Sequence, residues 1–273
     1  MPVLHLLLSM LLGVEPPSSH HAASLPPVLS RPLVAVIDSG VARTPELTPF
    51  LVAEYDFGSS VPRAPFRPRY DHGTMVATIL VRAAQQPVDI VSFRIDDPAG
   101  CAIGKYPPCQ RSPLRIASAI RQASTLGVRA INISLALEDH PAIVDAVRDA
   151  AARGILIVLA AGNDGLDQPG NLTMARAAFP NAVLVGALEK GGQMWSGTNR
   201  PGGAGRGYNY AWQLGVGVRT VGANGMAIFG TGTSFATPME TARLVAGWPL
   251  AMPLAALVQA TGAGAPVGEG PVR

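Results

Sequence analysis

Apolar stretches closed by a polar residue or a glycine recur along the chain. Leu33-Val34-Ala35-Val36-Ile37 is a near-continuous apolar run ending on Asp38, and further strands are legible at Val88–Ile95, Val128–Ser134, Gly154–Ala160 and Ala182–Leu188. A strand with one wet face alternates polar and apolar residues, so an unbroken run predicts a strand covered on both faces, as in a parallel sheet. Between the runs the period changes. Met75, Val76, Ile79 and Leu80 recur at helical spacing after His72, and helices are predicted over Leu114–Leu126, over Pro141–Arg153 and onward from Ser234 through Val245. Strand and helix alternating in this way predict an α/β fold: a three-layer, doubly wound, mostly parallel sheet with helices on both faces. The glycine-rich stretch from Gly191 to Gly232 predicts loops and short antiparallel strands, and Leu250–Gln259 a last short helix.

Composition narrows the class. The 273 residues are 48% hydrophobic and 14% charged and include 30 glycines, which suits a globule with many tight turns. The net charge is only +3 and no basic stripe interleaves with aromatic residues, so no nucleic-acid partner is expected. The run Val3 to Val14 followed by Ala22-Ala23-Ser24 reads as a secretory signal peptide over residues 1–24, although its start carries no Lys or Arg. Residues 25–262 then form one domain and 263–273 a flexible tail. No later stretch is long and apolar enough to span a membrane. Export to a secreted or periplasmic location favours a disulfide between Cys101 and Cys109, the two cysteines of the chain. No Cys/His spacing suggests a metal site, and no cofactor is expected.

Histidine is scarce outside the leader, where only His72 and His140 remain. His140 precedes Pro141 at a helix start and suits a local turn role. His72 also opens a helix, but Gly73 beside it gives close access to the ring. Asp38 closes the first strand, where open α/β sheets build their sites. Asn163 follows the run ending at Ala160-Ala161-Gly162. Ser234 sits among small residues, Gly232-Thr233-Ser234-Phe235-Ala236, at the start of the last helix. Alone, each reads as a turn or cap residue. Together they supply a hydroxyl, an imidazole to take its proton, a carboxylate to orient the imidazole and an amide for an oxyanion.

On these residues the sequence resembles the subtilase family of serine proteases. The matching segments are Val36-Ile37-Asp38-Ser39-Gly40-Val41, His72-Gly73-Thr74-Met75-Val76-Ala77, Ile131-Asn132-Ile133-Ser134-Leu135, Ala160-Ala161-Gly162-Asn163 and Gly232-Thr233-Ser234-Phe235-Ala236-Thr237-Pro238. The segment Phe179-Pro180-Asn181-Ala182-Val183-Leu184-Val185-Gly186-Ala187 is similar to a further one. The resemblance implies Ser234 as nucleophile, His72 as general base and acid, Asp38 as orienting carboxylate, and Asn163 with the Ser234 N–H as oxyanion donors. It implies that Ser134, Leu135 and Ala136 lie along a polypeptide substrate and, with Ala161 and Gly162, line its pocket. A monomeric endopeptidase is expected. The same acyl-enzyme could instead pass to an amine, as in peptide cyclisation, and a third reading is a scaffold that binds peptides without cleaving them. Calcium is common in the family, but no ligand cluster can be picked out. Too few residues separate Ser24 from Asp38 for the inhibitory pro-domain usual in secreted members. Unaided folding, a separate chaperone chain or a truncated reading frame are the expectations that follow.

Three departures stand out. Ala136 replaces the usual glycine after the Ser-Leu pair. Met239-Glu240 replaces His-Val after Pro238, with Arg243 one turn on as a natural partner for Glu240. Leu214-Gly215-Val216-Gly217 replaces the usual Ala-Pro-Gly.

Overall fold

In the first strand, β1 (Leu33–Asp38), Val34 and Val36 point to one face and Ala35 and Ile37 to the other, and all four are fully buried. The computed structural model describes residues 31–102, 108–203 and 207–246, and within them β1 lies near the middle of a seven-stranded sheet. Its neighbours are β3 (Asp89–Arg94) on one side and β4 (Ala130–Ile133) on the other. Beyond β3 lies β2 (Leu51–Asp56). Beyond β4 come β5 (Leu156–Ala160), β6 (Ala182–Leu188) and β7 (Asn209–Leu214), and every pairing is parallel.

The two faces have separate cores. Ala35, Ile37, Ile131, Ile133, Ile157 and Leu159 pack against α2 (Pro113–Thr125) and α3 (Pro141–Ala152) through Ile116, Ile120, Ile143 and Val147. Val34, Val36, Leu156, Val158, Val183 and Val185 pack against α1 (His72–Ala83) and α5 (Thr233–Ala246) through Val76, Leu80, Ala236 and Leu244. Burying each such aliphatic side chain is worth about 1.5–3 kcal/mol, which both helix layers supply. The doubly wound, three-layer α/β expectation therefore holds.

The sheet edges were not foreseen. β2 is a half-buried edge strand in a stretch that reads as irregular, and the short α4 (Leu172–Ala177) carries too little of a helical period to be read. The largest correction is β7. The region expected to hold loops and short antiparallel strands contributes a parallel strand, and its Tyr210 and Trp212 lie against Gly186 of β6, where a Cβ would stand 2.3 Å from the Tyr210 hydroxyl and 2.6 Å from the Trp212 ring. The antiparallel expectation is met further on by the hairpin of β8 (Val218–Val221) and β9 (Ala227–Gly230). The 1–24 leader, the Leu250–Gln259 helix and the 263–273 tail lie outside the described residues.

Candidate active site

Strand order brings the chemistry together. β1, β4 and β5 are adjacent, and just at or beyond their C-terminal ends stand Asp38, Ser134 and Asn163. The N-termini of α1 and α5, the two helices on one face, add His72 and Ser234.

Asp38 has no solvent exposure, and a buried carboxylate needs hydrogen bonds. It accepts from the Ser39 N–H at 2.7 Å, and the Nδ1 of His72 stands 2.9 Å from each of its oxygens. A donor at Nδ1 leaves Nε2 of the neutral ring as the free base. Burial presses the imidazole pKa down, but the charge and hydrogen bond of Asp38 outweigh it and hold the ring above its ordinary value. The helix start is pinned by its surroundings. Gly73 N–H donates to Ser39 Oγ at 3.0 Å, Thr74 Oγ1 accepts from Ala42 N–H at 3.0 Å, and Asp71 Oδ1 accepts from Ala223 N–H at 2.7 Å. Gly73 lets α1 meet the turn after β1, since a Cβ there would stand 2.3 Å from the Gly40 carbonyl oxygen.

Ser234 opens into a cleft of about 530 Å³ that His72, Asn163, Ser134, Leu135 and Ala136 also line. Its hydroxyl donates to the Ser134 carbonyl at 2.8 Å. No hydrogen bond joins it to His72 in this arrangement, although the Phe235 ring lies 5.7 Å from the imidazole. Asn163 is oriented by the residue before the serine. Its Oδ1 accepts from both the N–H (2.8 Å) and the hydroxyl (2.9 Å) of Thr233, which fixes the amide and leaves its NH₂ as donor. The Ser234 N–H lies in the first turn of α5, where a helix has no internal acceptor for its donors.

Ala161 and Gly162 do not line the cleft. Ala161 is wholly buried, and Gly162 donates its N–H to Thr233 Oγ1 at 3.1 Å, tying its loop to the serine loop. Pro108, Cys109 and Gln110 line the cleft although nothing in the sequence pointed to them. Cys109 is bonded to Cys101, the expected disulfide. His140 plays its expected local part, capping α3 by accepting from Ala142 N–H. Glu240, fully buried, accepts from Gln213 Nε2 at 2.7 Å and Arg243 Nε at 2.8 Å, so the atypical carboxylate is satisfied. Asn171, beneath the cleft wall, carries no recognisable sequence signal. Its carboxamide bonds to the backbone of Leu135, Leu137 and Ala160.

Among the described residues no group of three or more His, Cys, Asp or Glu side chains could hold a metal ion, and no helix is long and apolar enough to cross a membrane. The carboxylates of Asp56 and Asp96, beside β2 and β3, are paired with Arg63, and Asp96 also with Arg94.

Comparison with known proteins agrees with this geometry. Among solved structures, the S41 psychrophilic protease superposes with a TM-score of 0.67 at 24% identity, covering 84% of this chain and 81% of that one. Sphericase gives 0.65 at 24%, covering 81% and 80%. At these identities the likeness is one of fold. Subtilisin-like protease 2 of Arthroderma otae is 30% identical over 133 residues, which is 48% of this chain and 30% of that protein. The family model for the subtilases matches residues 30–246. That match runs through every segment that builds the cleft, and the chain belongs to the subtilase family.

Proposed function

We propose that this chain is a serine endopeptidase that cleaves peptide bonds through an acyl-enzyme on Ser234. The observation that carries the reading is the His72–Asp38 contact. It fixes the imidazole with Nε2 free beside a cleft into which one serine hydroxyl opens. Rotation of that hydroxyl from the Ser134 carbonyl toward Nε2 lets the imidazole take its proton as the oxygen attacks a substrate carbonyl. Asp38 then faces an imidazolium, the form its charge favours. The Asn163 NH₂ and the Ser234 N–H supply the two donors for the tetrahedral oxyanion. His72 next returns the proton to the leaving amine, and water repeats the sequence to release the acid.

The substrate is a polypeptide in extended form, and the support is the exposed backbone of Ala136 beside the Ser134 carbonyl. Pairing on such an edge demands little of the side chains. Export belongs to the same reading, since the Cys101–Cys109 disulfide suits an oxidising compartment. Casein hydrolysis tests the activity. The native protein is expected to release peptides, Ser234→Ala to release none above background, and Asn163→Ala to turn over about 10²–10³-fold more slowly, the cost of the matching donor in subtilisin. Proteolysis that survives in Ser234→Ala would overturn the assignment.

A further inference from the structure

Asn171 is only 7% exposed and makes no contact with the reacting groups, yet its carboxamide is fully used. Oδ1 accepts the Leu137 N–H at 2.8 Å, while Nδ2 donates to the Leu135 carbonyl at 2.7 Å and to the Ala160 carbonyl at 2.9 Å. A primary amide offers one acceptor group and two donors, and all are engaged. The first two bonds copy what a neighbouring strand would give: one acceptor and one donor to residues two apart on the same edge. The chain bends at Leu135, and the N–H and C=O of Ala136, between the two bonded residues, take no part in these bonds. Ala136 is exposed, lines the cleft and has no hydrogen-bond partner for either group among the described residues.

We propose that Asn171 is a positioning residue. It holds the segment Ser134–Leu137, beyond the end of β4, so that the Ser134 carbonyl and both polar groups of Ala136 stay open to pair with the substrate backbone. The proposal rests on the peptidase reading. The third bond anchors that segment to the Ala160 carbonyl at the end of β5, in the middle of the sheet. The backbone supports this assignment. Asn171 has φ 56° and ψ 18°, a left-handed conformation that glycine adopts at less cost. A buried side chain kept there has work to do, and every bond it forms goes to the site's backbone.

Asn171→Gly tests the idea, because it suits the left-handed backbone and removes the carboxamide together with its Cβ. Three substrates are compared: an acetylated alanine tetrapeptide anilide, its analogue N-methylated at the third residue before the scissile bond, and acetyl-alanine ester, too short to reach Ala136. In the native protein N-methylation is expected to cost about tenfold in kcat/KM, the size of one backbone hydrogen bond. In Asn171→Gly the tetrapeptide loses about tenfold, mainly through KM. The methylation penalty shrinks to about twofold, and the ester is cleaved at the native rate. Equal losses on ester and tetrapeptide, or an undiminished methylation penalty, would overturn the proposal. Asn171→Asp keeps the acceptor for Leu137 but not the donors, and is expected to show the same selective loss should the glycine variant not fold. Were the native protein to cleave none of these, the peptidase reading would fall. Amide exchange would still decide this one: Leu137 is expected to exchange about tenfold faster in Asn171→Gly, and unchanged exchange would refute it.

Discussion

Replacing Gly73 by alanine adds one methyl group where α1 meets the turn after β1. The new Cβ would stand 2.3 Å from the Gly40 carbonyl oxygen, 3.1 Å from Asp38 Cβ and 3.2 Å from its Oδ1. Such carbons essentially never come within 3.0 Å of another heavy atom, and backbone is on the other side of the contact. The helix start or the Gly40 turn must therefore move by about 0.7 Å, the gap between 2.3 Å and 3.0 Å. Elsewhere in a helix this substitution gains up to about 1 kcal/mol. Against an overpacking cost of about 1–3 kcal/mol, the net expected is a loss of up to about 2 kcal/mol. For a domain of this size that lowers Tm by up to roughly 8 °C. The larger effect is catalytic, because His72 is the preceding residue and its Nδ1 contact with Asp38 moves with it. Misplacement approaching 1 Å is expected to lower kcat/KM about 10²-fold. Thermal melts and peptide kinetics read the two effects, with Gly203→Ala, which has open space around its Cβ, as the harmless control. A Gly73→Ala protein with native activity and an unchanged or higher Tm would refute the close approach from which both magnitudes follow.

Three further outcomes follow from the charges. The His72 imidazole must be neutral to act as base and its pKa is held above 6.5, so kcat/KM is expected to rise with pH through a midpoint above 6.5, and Asp38→Asn to move that midpoint down. Since the folded value exceeds the unfolded one, the stabilisation by the charged pair is full below about pH 6.5 and fades as pH climbs through the folded value. The Tm gap between the native protein and Asp38→Asn should therefore narrow as pH rises from about 6.5 through the folded value; a widening gap would contradict the sign. Glu240→Ala removes a fully buried acceptor from Gln213 and Arg243 and is expected to cost about 3 kcal/mol in urea unfolding, whereas a loss under about 1 kcal/mol would mean the pair is dispensable.

What the sequence disclosed follows how completely each element is covered. β1, β3, β4, β5 and β6 are buried almost throughout, and their predominantly apolar stretches could be read directly. β2 and β7 lie at the sheet edges with mostly half-buried side chains, so neither carries such a run. The site shows the same division. Asp38, His72, Asn163 and Ser234 each sit in a short segment whose neighbours serve the same chemistry, and that local order is visible in one dimension. The role of Asn171 is not, because two of its partners, Leu135 and Leu137, lie far upstream and are joined to it only by the fold. The resemblance implies Ala161 and Gly162 along the pocket; Ala161 is buried, and the Gly162 N–H is bonded to Thr233 Oγ1 of the serine loop.

The central claim is that Ser234 is a nucleophile made reactive by His72. Fluorophosphonate labelling followed by peptide mapping tests it most directly. One adduct is expected on the native protein, on Ser234, formed at least about 10³-fold more slowly in His72→Ala and absent in Ser234→Ala. An adduct elsewhere, or labelling of Ser234 at an unchanged rate without His72, would contradict the account.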